Sequence, residues 1–492
     1  YAVADGYISR IMVSASGYGK ALYVNHPNGY VSVYAHLSRF KKDVEDYIFK
    51  YQHDNEEFEI NLYPLPNQFK IKKSEIIAKS GNSGRSFGAH LHFEIRETQS
   101  EKPINPLLLN FNIEDTIAPK IFSIYMYNFE GENGSEMIID KKNINGNIIK
   151  VFGKIGFGIE AFDFINGRNS ATGLYNIDLF VDDSLIFSYT LNKISFFENR
   201  YLNIFIDYSE RKGTGKKISK CFIEPNNNLS IYEKNKNNGI YDFSDLKTHS
   251  VKILAKDVSG NNSSINFNVE SDSSFKIKDK KNYHNLKKIY FSKKNFYFTD
   301  KIKIIFHLNT LYSDIYLNYY SSKNKFSKYS DIHNIHDSYI ALHNKITIAI
   351  KPDNLEHGLR KKALIVKLKE NNKLEAFDSR WKDGFIETNT SYFGKYFVSI
   401  DTIAPKIKSI NFNKKNKQNK IIKFKIRDNL SGIETYKGYI DKKWVLFEYD
   451  KKTNTIYCNL DKENLKKGKH ILKLIVKDKK GNESIFKSNF IY

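Results

Sequence analysis

Two histidines separated by one residue are the strongest chemical signal in the chain. His90 and His92 lie in residues 80–96, SGNSGRSFGAHLHFEIR, where three glycines precede an alternating polar and apolar run. Such alternation is typical of a half-buried strand, so both imidazoles are expected on one strand face. Placed in this way they can bind one metal ion together, or one can bind metal while the other transfers protons. A pair of surface histidines on an edge strand is the alternative, because a bare H-x-H is a weak motif.

The segments that must position these histidines have the pattern of short antiparallel strands. Residues 1–8 and 17–24 each show a strand-like pattern around a glycine turn, and residues 30–37, YVSVYAHL, alternate between residue types. This alternation places a third histidine, His36, on the strand face opposite the valines. A charged insertion with a helical pattern follows at residues 38–70. We therefore expect a small antiparallel sheet with a groove and one helical insertion.

The order of these segments along residues 1–109 resembles a known family. The segments read AVADGYISRI, GYGKALYVNHPNGYVSVYAHL, EIIAKSGNSG and GAHLHFEIR, followed by INPLLL. This run is similar to the lysostaphin/LytM-type zinc endopeptidases, which cut peptidoglycan cross-links, and especially to envelope-associated members from Bacteroidetes-type bacteria. The resemblance implies a mainly β protein, with a LytM-type antiparallel-sheet peptidase domain, N-terminally truncated here, and a β-rich C-terminal extension.

The resemblance also implies a division of roles among the three histidines. In that family zinc is bound by a histidine and an aspartate of an H-x-x-x-D motif and by the second histidine of H-x-H, which makes His92 a metal ligand. His90 and His36 then flank the zinc-bound water as general base and transition-state stabiliser. Zinc lowers the pKa of bound water towards ~7, and an adjacent imidazole can accept the proton. The H-x-x-x-D motif is expected upstream of Tyr1, so the chain as given should hold an incomplete, inactive zinc site.

Two more histidines in this region are expected to have no chemical role. His26 lies in an Asn-His-Pro turn, where the residue type serves the backbone conformation. His53 lies in the charged insertion, and its ring is expected to be solvated.

The composition predicts several β-rich domains and no membrane-spanning segment. Of the 492 residues 40% are hydrophobic and only 9 are proline, while tyrosine and phenylalanine number 33 and 36, which favours packed strands. No uninterrupted apolar run reaches the ~18 residues that a membrane-spanning helix needs. Cys221 and Cys458 lie in distant apolar segments, so we expect unpaired core residues, with an inter-domain disulfide as the alternative.

The formal net charge of +23 does not by itself indicate a nucleic-acid partner. The lysines are scattered along almost every segment and form no recognition stripe. We therefore expect no nucleic-acid partner, although the charge favours an anionic neighbour such as a cell wall or a membrane surface. A basic polymer-binding protein is a further hypothesis, and it predicts strongly salt-dependent association.

The C-terminal part of the chain repeats one plan. The sequence DTIAPKI occurs at residues 115–121 and again at 401–407, and a strand followed by D-x-x-G-N occurs near residues 257–261 and 478–482. Short alternating strands between these repeats are typical of immunoglobulin-like β-sandwiches. The Asp and Asn of the closing motif suit a β-turn, and calcium binding there is the alternative.

These patterns divide the chain into four units. The first unit, residues 1–112, is the predicted peptidase domain, and the third, residues 272–400, is β-rich. The second unit, residues 113–271, and the fourth, residues 401–492, are predicted immunoglobulin-like β-sandwiches. No arrangement typical of serine or cysteine nucleophiles occurs in the last three units. We therefore expect these units to position the peptidase domain or to recognise a binding partner.

The predicted function is that of a zinc-dependent endopeptidase that cleaves peptide cross-links of peptidoglycan during cell-wall remodelling. Zinc is the expected cofactor and peptidoglycan the expected partner, with other envelope proteins as further candidates. The expected location is the periplasm or cell envelope, after export. The alternative is a catalytically inactive LytM-like regulator or binding module of the envelope. The retention of three histidines favours the enzyme, because a regulatory groove does not need them.

Overall fold

The computed structural model describes residues 1–129, 135–140, 148–275, 286–412 and 420–492. Within these ranges the strands form antiparallel sheets apart from one parallel pair, so the prediction of a mainly β chain is confirmed. The helices are α1 (Lys42–Asn55), α2 (Leu202–Phe205) and α3 (Tyr208–Gly213), with short 3₁₀ helices at Pro106–Leu109, Phe196–Tyr201, Asn237–Gly239, His357–Lys362 and Leu460–Glu463. None of the helices in the described ranges has the length and apolar character needed to cross a membrane.

One seven-stranded sheet forms most of the first unit. The strands of the whole unit are β1 (Gly6–Val13), β2 (Lys20–Asn25), β3 (Tyr30–Leu37), β4 (Arg39–Phe40), β5 (Ile60–Leu62), β6 (Lys70–Ile71), β7 (Ala78–Lys79), β8 (His92–Glu97) and β9 (Pro103–Ile104). The sheet order is β5-β1-β2-β3-β8-β9, with β6 also paired to β1, and β4 pairs with β7. Strand β1 begins at Gly6, where the second strand of residues 1–8 is predicted, but residues 1–5 form no strand. In β3, Val33 and Ala35 pack in one apolar cluster and Tyr34 in another, which confirms the predicted alternation.

The predicted helical insertion is α1. Val44, Ile48 and Gln52 recur every four residues, so they share one helix face, and all three are buried. The helix ends where Glu56 takes a left-handed conformation with a φ of 51°. His53 near this end is not solvated as expected, because its ring contacts the fourth unit. Its Nε2 lies 2.9 Å from a carboxylate oxygen of Glu463.

The second unit is a sandwich of two sheets around its own apolar core. Its strands are β10 (Lys120–Asn128), β11 (Ser135–Asp140), β12 (Ile149–Val151), β13 (Gly153–Phe162), β14 (Asn176–Val181), β15 (Ser184–Thr190), β16 (Ile218–Lys220), β17 (Tyr232–Asn235), β18 (Tyr241–Phe243), β19 (Thr248–Lys256) and β20 (Asn262–Ser271). One sheet has the order β11-β10-β13-β16, with β18 also paired to β13, and the other β12-β20-β19-β14-β15-β17. The β12–β20 pair is the parallel one.

The third unit also has its own core between two five-stranded sheets. Its strands are β21 (Lys287–Ile289), β22 (Asn295–Phe298), β23 (Ile302–Phe306), β24 (Ile315–Leu317), β25 (Tyr319–Ser322), β26 (Ile332–Ile335), β27 (Ala341–Ile350), β28 (Ala363–Leu368), β29 (Leu374–Phe377), β30 (Arg380–Lys382), β31 (Phe385–Tyr392) and β32 (Gly394–Ile400). The sheet orders are β22-β23-β27-β31-β30 and β25-β26-β32-β28-β29, and β21 pairs with β24.

The fourth unit repeats the sandwich plan of the second. Its strands are β33 (Lys406–Ser409), β34 (Ile421–Arg427), β35 (Ile433–Ile440), β36 (Lys443–Val445), β37 (Glu448–Asp450), β38 (Thr455–Asn459), β39 (Lys469–Asp478) and β40 (Glu483–Ile491). The order β36-β35-β39-β40 matches β15-β14-β19-β20 of the second unit, and β33-β34-β38 matches β10-β13-β16. The repeat seen in the sequence is therefore a repeat of topology. Cys221 and Cys458 are unpaired and buried in the two cores, as predicted.

Candidate metal centre

His36 lies at an irregularity near the end of β3. The pairing of β2 with β3 shifts register between Lys20 and Leu22, and His36 opposite this shift has a φ of 58°. A left-handed conformation is uncommon for residues other than glycine, and bulges of this kind re-aim side chains. The backbone N–H of His36 donates to the Tyr18 carbonyl at 2.9 Å, and its Nδ1 lies 2.9 Å from the Ser83 carbonyl oxygen. One hydrogen bond therefore fixes the backbone of His36 and the other fixes its ring.

His92 and His90 reach the same place from different structural contexts. His92 is the first residue of β8 and pairs with Ala35, directly beside His36. His90 precedes the strand and is fixed by a bridge to Gly81. The prediction that one strand carries both histidines is therefore wrong, because strand pairing begins only at His92. The predicted convergence is nevertheless present: the His36 ring centroid lies 5.0 Å from that of His90 and 5.5 Å from that of His92.

Each of the three rings has one nitrogen fixed by an acceptor. Nδ1 of His90 lies 2.9 Å from the Gly88 carbonyl oxygen, and Nε2 of His92 lies 2.5 Å from Oε1 of Glu94. A nitrogen that faces a carbonyl or carboxylate carries the proton, so the opposite nitrogen holds the lone pair. The lone pairs are therefore on Nε2 of His36, Nε2 of His90 and Nδ1 of His92. None of these three atoms has a hydrogen-bond partner among the described residues.

Glu94 is the centre of a charged network behind His92. Its Oε1 also accepts a hydrogen bond from the Tyr18 hydroxyl at 2.6 Å, and its Oε2 accepts one from Nε of Arg96 at 2.8 Å. Burial raises the pKa of Glu94, but the hydrogen bonds from His92 and Tyr18 and the charge of Arg96 outweigh it and lower the pKa to about 2. The carboxylate thus stays ionised and orients the His92 ring.

The environment of His36 favours its neutral form. Burial is the largest cause that lowers its pKa, and electrostatic interactions with His92, His90 and Lys452 act in the same direction, while the Ser83 hydrogen bond opposes them. A neutral imidazole with an available lone pair can accept a proton near neutral pH.

The donor set suits a zinc ion that also has ligands outside this trio. Imidazole nitrogen is a preferred zinc donor, and a ligating histidine usually donates its other N–H to a carboxylate or carbonyl, as His92 does to Glu94. The three imidazole nitrogens do not form a compact ligand group by themselves. In the described part of the chain, the groups of three donor atoms that lie within 4.8 Å of one another consist of aspartates only.

Sequence reasoning identified the histidines but missed the residues that orient them. Glu94 and Arg96 follow His92 at spacings of two and four, which places them on its strand face, so period-two counting could have found them. Tyr18 lies in the connection between β1 and β2, far from His92 in the sequence, so no local sequence pattern links these two residues. The structure gives His26 a structural role: its Nδ1 lies 2.8 Å from the Asp5 carbonyl oxygen, and the ring is buried.

The fourth unit reaches the edge of this site. The Lys452 ammonium donates a hydrogen bond to the Asn82 carbonyl, in the glycine-rich segment. Nearby, Nζ of Lys20 lies 2.8 Å from Oε2 of Glu448, and both side chains are mostly buried. The face of the site around His90 remains open, since Phe87 is 98% exposed.

Comparisons with known proteins support a metallopeptidase relationship for part of the chain. Over 106 residues it is 32% identical to the DD-carboxypeptidase/endopeptidase Mpg of Neisseria meningitidis serogroup B, a match that covers 22% of this chain and 18% of that protein. An uncharacterized metalloprotease of Haemophilus influenzae is 31% identical over 106 residues, with 22% and 17% covered. The chain thus spans about a fifth of the length of these relatives. The predicted relationship to metallopeptidases is confirmed at this level, and the narrower Bacteroidetes-type resemblance stays a prediction.

Two further matches are with a solved structure and with a family model. The catalytic domain of the prophage-encoded M23 protein EnpA from Enterococcus faecalis matches with 20% identity, a TM-score of 0.16, and coverage of 22% of this chain and 68% of that chain. A family model described as a Zu5-like domain matches residues 287–401, in the third unit.

Proposed function

We propose that the first unit is the catalytic domain of a zinc-dependent endopeptidase that hydrolyses peptide cross-links of peptidoglycan during cell-wall remodelling. The observation that carries the proposal is the convergence of three imidazoles, each with one nitrogen fixed and the other available. The relatives named as a peptidase and a metalloprotease support the reaction class. When bound, zinc supplies the Lewis acidity that peptide hydrolysis needs.

Each side chain has a separate role in this proposal. His92 binds zinc through Nδ1, and Glu94 fixes its ring and increases its basicity. His36 and His90 are the proton-transfer residues, since their Nε2 atoms carry lone pairs and their rings are 5.0 Å apart. We assign the remaining zinc ligands to the histidine and the aspartate of an H-x-x-x-D motif, as the family resemblance implies. Three protein ligands are the usual number in catalytic zinc sites.

The surroundings of the site suit a polymer substrate. Phe87 and Leu91 flank His90, and these residues are 98% and 45% exposed, so they offer apolar surface that an extended peptide can cover. The net charge of +23 favours residence near anionic wall polymers in the periplasm or envelope. The three β-rich units that follow then position the catalytic domain.

The test is digestion of purified peptidoglycan by a protein that includes this H-x-x-x-D motif, with released fragments identified by mass spectrometry. We expect cleavage that a zinc chelator abolishes and added zinc restores. His92→Ala should lose zinc, while His36→Ala and His90→Ala should retain zinc and lose most turnover. His357→Ala is the matched control, because this exposed histidine lies in the third unit.

Two results would contradict the proposal. Identical fragment patterns with and without chelator would exclude a zinc peptidase. Stable binding to peptidoglycan without any cleavage, at full zinc occupancy, would instead support the inactive binding module.

A further inference from the structure

Two groups of three aspartates lie at matching places in the second and fourth units. In each group every residue offers a carboxylate oxygen, and these atoms all lie within 4.8 Å of one another. The groups are Asp115, Asp163 and Asp257 in the second unit, and Asp401, Asp428 and Asp478 in the fourth. Three carboxylates at such distances repel one another strongly unless a cation lies between them.

The repeated sequence brings each group together at one end of its sandwich. Asp115 lies five residues before β10, and Asp163 directly follows β13. Since β10 and β13 are antiparallel, with Lys120 opposite Phe162, the start of one strand and the end of the other meet. Asp257 follows β19 of the facing sheet and completes the group.

The fourth unit has the same construction. Asp401 lies five residues before β33, Asp428 directly follows β34, and Asp478 ends β39. Lys406 pairs with Arg427, which again brings the start of one strand to the end of the other. The two groups are therefore products of one topology and not of chance surface acidity.

A turn role explains Asp257 in full. Its Oδ1 accepts the backbone N–H of Asn261 at 2.9 Å and its Oδ2 the side-chain N–H of Asn261 at 2.8 Å. The same amide reaches the Asp115 carbonyl at 3.0 Å. Asp478 and Asn482 repeat this arrangement, with distances of 2.8 and 2.6 Å. The predicted turn is thus present in both units, with carboxylates already held in place.

A turn role does not explain Asp163. This residue is 5% exposed, and its Oδ2 accepts a hydrogen bond from the Thr172 hydroxyl at 3.1 Å. Its Oδ1 is buried and has no hydrogen-bond partner among the described residues, and the same holds for Oδ1 of Asp428. A buried carboxylate oxygen without a donor is costly. Burial is the largest cause and raises the pKa of Asp163; the charges of Asp115 and Asp257 raise it further, against hydrogen bonds from the Phe164 backbone and Thr172 that lower it.

We propose that each aspartate group is a calcium site. Calcium takes oxygen ligands at 2.3–2.6 Å, so ligand atoms on opposite sides of the ion lie up to about 5 Å apart, which accommodates the separations here. Magnesium usually keeps several waters and is bound through one or two carboxylates, so a group of three carboxylates favours calcium. The all-oxygen donors also separate these sites from the imidazole cleft, since zinc prefers nitrogen and sulfur.

The two sites should differ in their affinity for calcium. Lys480 lies near the fourth-unit group and interacts electrostatically with Asp401 and Asp478, although its ammonium donates to the Ser379 carbonyl at 2.9 Å. The corresponding position in the second unit is Ser259, which carries no charge. A positive charge near the fourth-unit group opposes cation binding, so the second-unit site should bind calcium more tightly.

The first test counts bound calcium by equilibrium dialysis of the metal-stripped full chain. We expect two ions per chain at concentrations on the order of 1 mM, the upper range for calcium-binding extracellular modules. Asp163→Asn and Asp428→Asn should each bind one ion, and the double variant none. Asp300→Asn is the control, because this aspartate is exposed and lies in the third unit. Binding of no calcium, or a count that these variants leave unchanged, would overturn the proposal.

The second test separates a cation site from a purely structural carboxylate. In excess chelator, Asp163→Asn removes repulsion between buried charges, so the unfolding midpoint of the second unit should equal or exceed that of the wild type. In calcium it should fall below the wild type, by about 5 °C or more. An unfolding midpoint of Asp163→Asn that lies below the wild type by the same amount with and without calcium would overturn the proposal. If magnesium raised the unfolding midpoint of the wild type as much as calcium does, the choice of calcium would be overturned.

Discussion

The ammonium group of Lys452 donates a hydrogen bond to the backbone carbonyl of Asn82, one residue before the Ser83 carbonyl that fixes His36. These partners are 370 positions apart in the chain. A lysine of the last unit therefore sits beside a proposed proton-transfer residue of the first, and its charge is one of the causes that lower the pKa of His36.

Replacing Lys452 should raise the pKa of His36. Lys452→Gln removes one of the positive charges that disfavour the imidazolium, while burial and the neighbouring histidines remain. Histidine NMR titration of the chelator-treated chain measures this, with the His36 resonance identified by its loss in His36→Gln. Lys451→Gln removes an adjacent exposed charge and should leave the titration unchanged. An unaltered His36 titration in Lys452→Gln would show that the contact has no electrostatic influence.

Neutralising Glu94 should weaken zinc binding without removing a ligand. Glu94→Gln keeps an acceptor for Nε2 of His92 but loses the charge that increases the basicity of the ring, and such changes weaken metal affinity about 10- to 100-fold. Zinc competition titrations on the protein that includes the H-x-x-x-D motif measure the effect. Glu97→Gln is the matched control on the same strand, since Glu97 pairs with Lys193 at the surface. Equal zinc affinity in Glu94→Gln and the wild type would remove Glu94 from the metal centre.

The Lys20–Glu448 contact should contribute measurably to stability. Lys20→Met leaves the Glu448 carboxylate in a mostly buried interface without its cation, at an expected cost of about 1–3 kcal/mol. The Lys72–Asp5 pair is largely exposed, so Lys72→Met should cost well under about 1 kcal/mol. Denaturant unfolding followed through Trp444, in the fourth unit, measures both. Equal midpoints for the two variants would show that the interface pair contributes nothing beyond a surface pair.

The third unit should lose stability in acid because of His333. This residue is 2% exposed, and its Nδ1 lies 2.8 Å from the Tyr319 hydroxyl oxygen. Burial is the main cause that lowers its pKa from 6.5 to about 4, so the unfolded state binds the proton more tightly. The stabilising contribution is therefore complete above pH 6.5 and disappears as the pH falls towards 4. The loss amounts to about 3 kcal/mol.

Fluorescence of Trp381 can follow this unit alone in a Trp444→Phe background, because the chain has only two tryptophans. His333→Asn should reduce the change in the free energy of unfolding between pH 6.5 and pH 4, whatever its effect on stability at neutral pH. Replacement of the exposed His307 by Gln should leave that pH dependence unchanged. An equally steep slope in His333→Asn would assign the acid sensitivity to other groups.

Period-two alternation predicted the faces of β3, and the repeated DTIAPKI and D-x-x-G-N segments predicted two sandwiches of one topology. Both signals are local: they depend on neighbours in sequence that share a strand or a turn. The left-handed conformation of His36 could not be predicted, because the distant Tyr18 and Ser83 carbonyls fix this residue. The start of β8 at His92 depends likewise on where pairing with β3 ends.

The error at His53 has a similar origin. A polar face on a helix predicts contact with water when only the local sequence is read. Here Glu463 and Trp444, about 400 positions away, cover the ring. Local periodicity distinguishes buried faces from polar ones, but it cannot distinguish a solvated polar face from one that docks on another domain.

The contacts of Lys20, His53 and Asn82 with the fourth unit join the two ends of the described chain. The second and third units then act as a covalent tether between partners that already touch. Such a tether gives the partners a high effective concentration, so an interface too weak to form between separate molecules can persist within one. A single proteolytic cut between residues 113 and 400 would therefore leave both pieces associated at first, and separation would follow only on dilution.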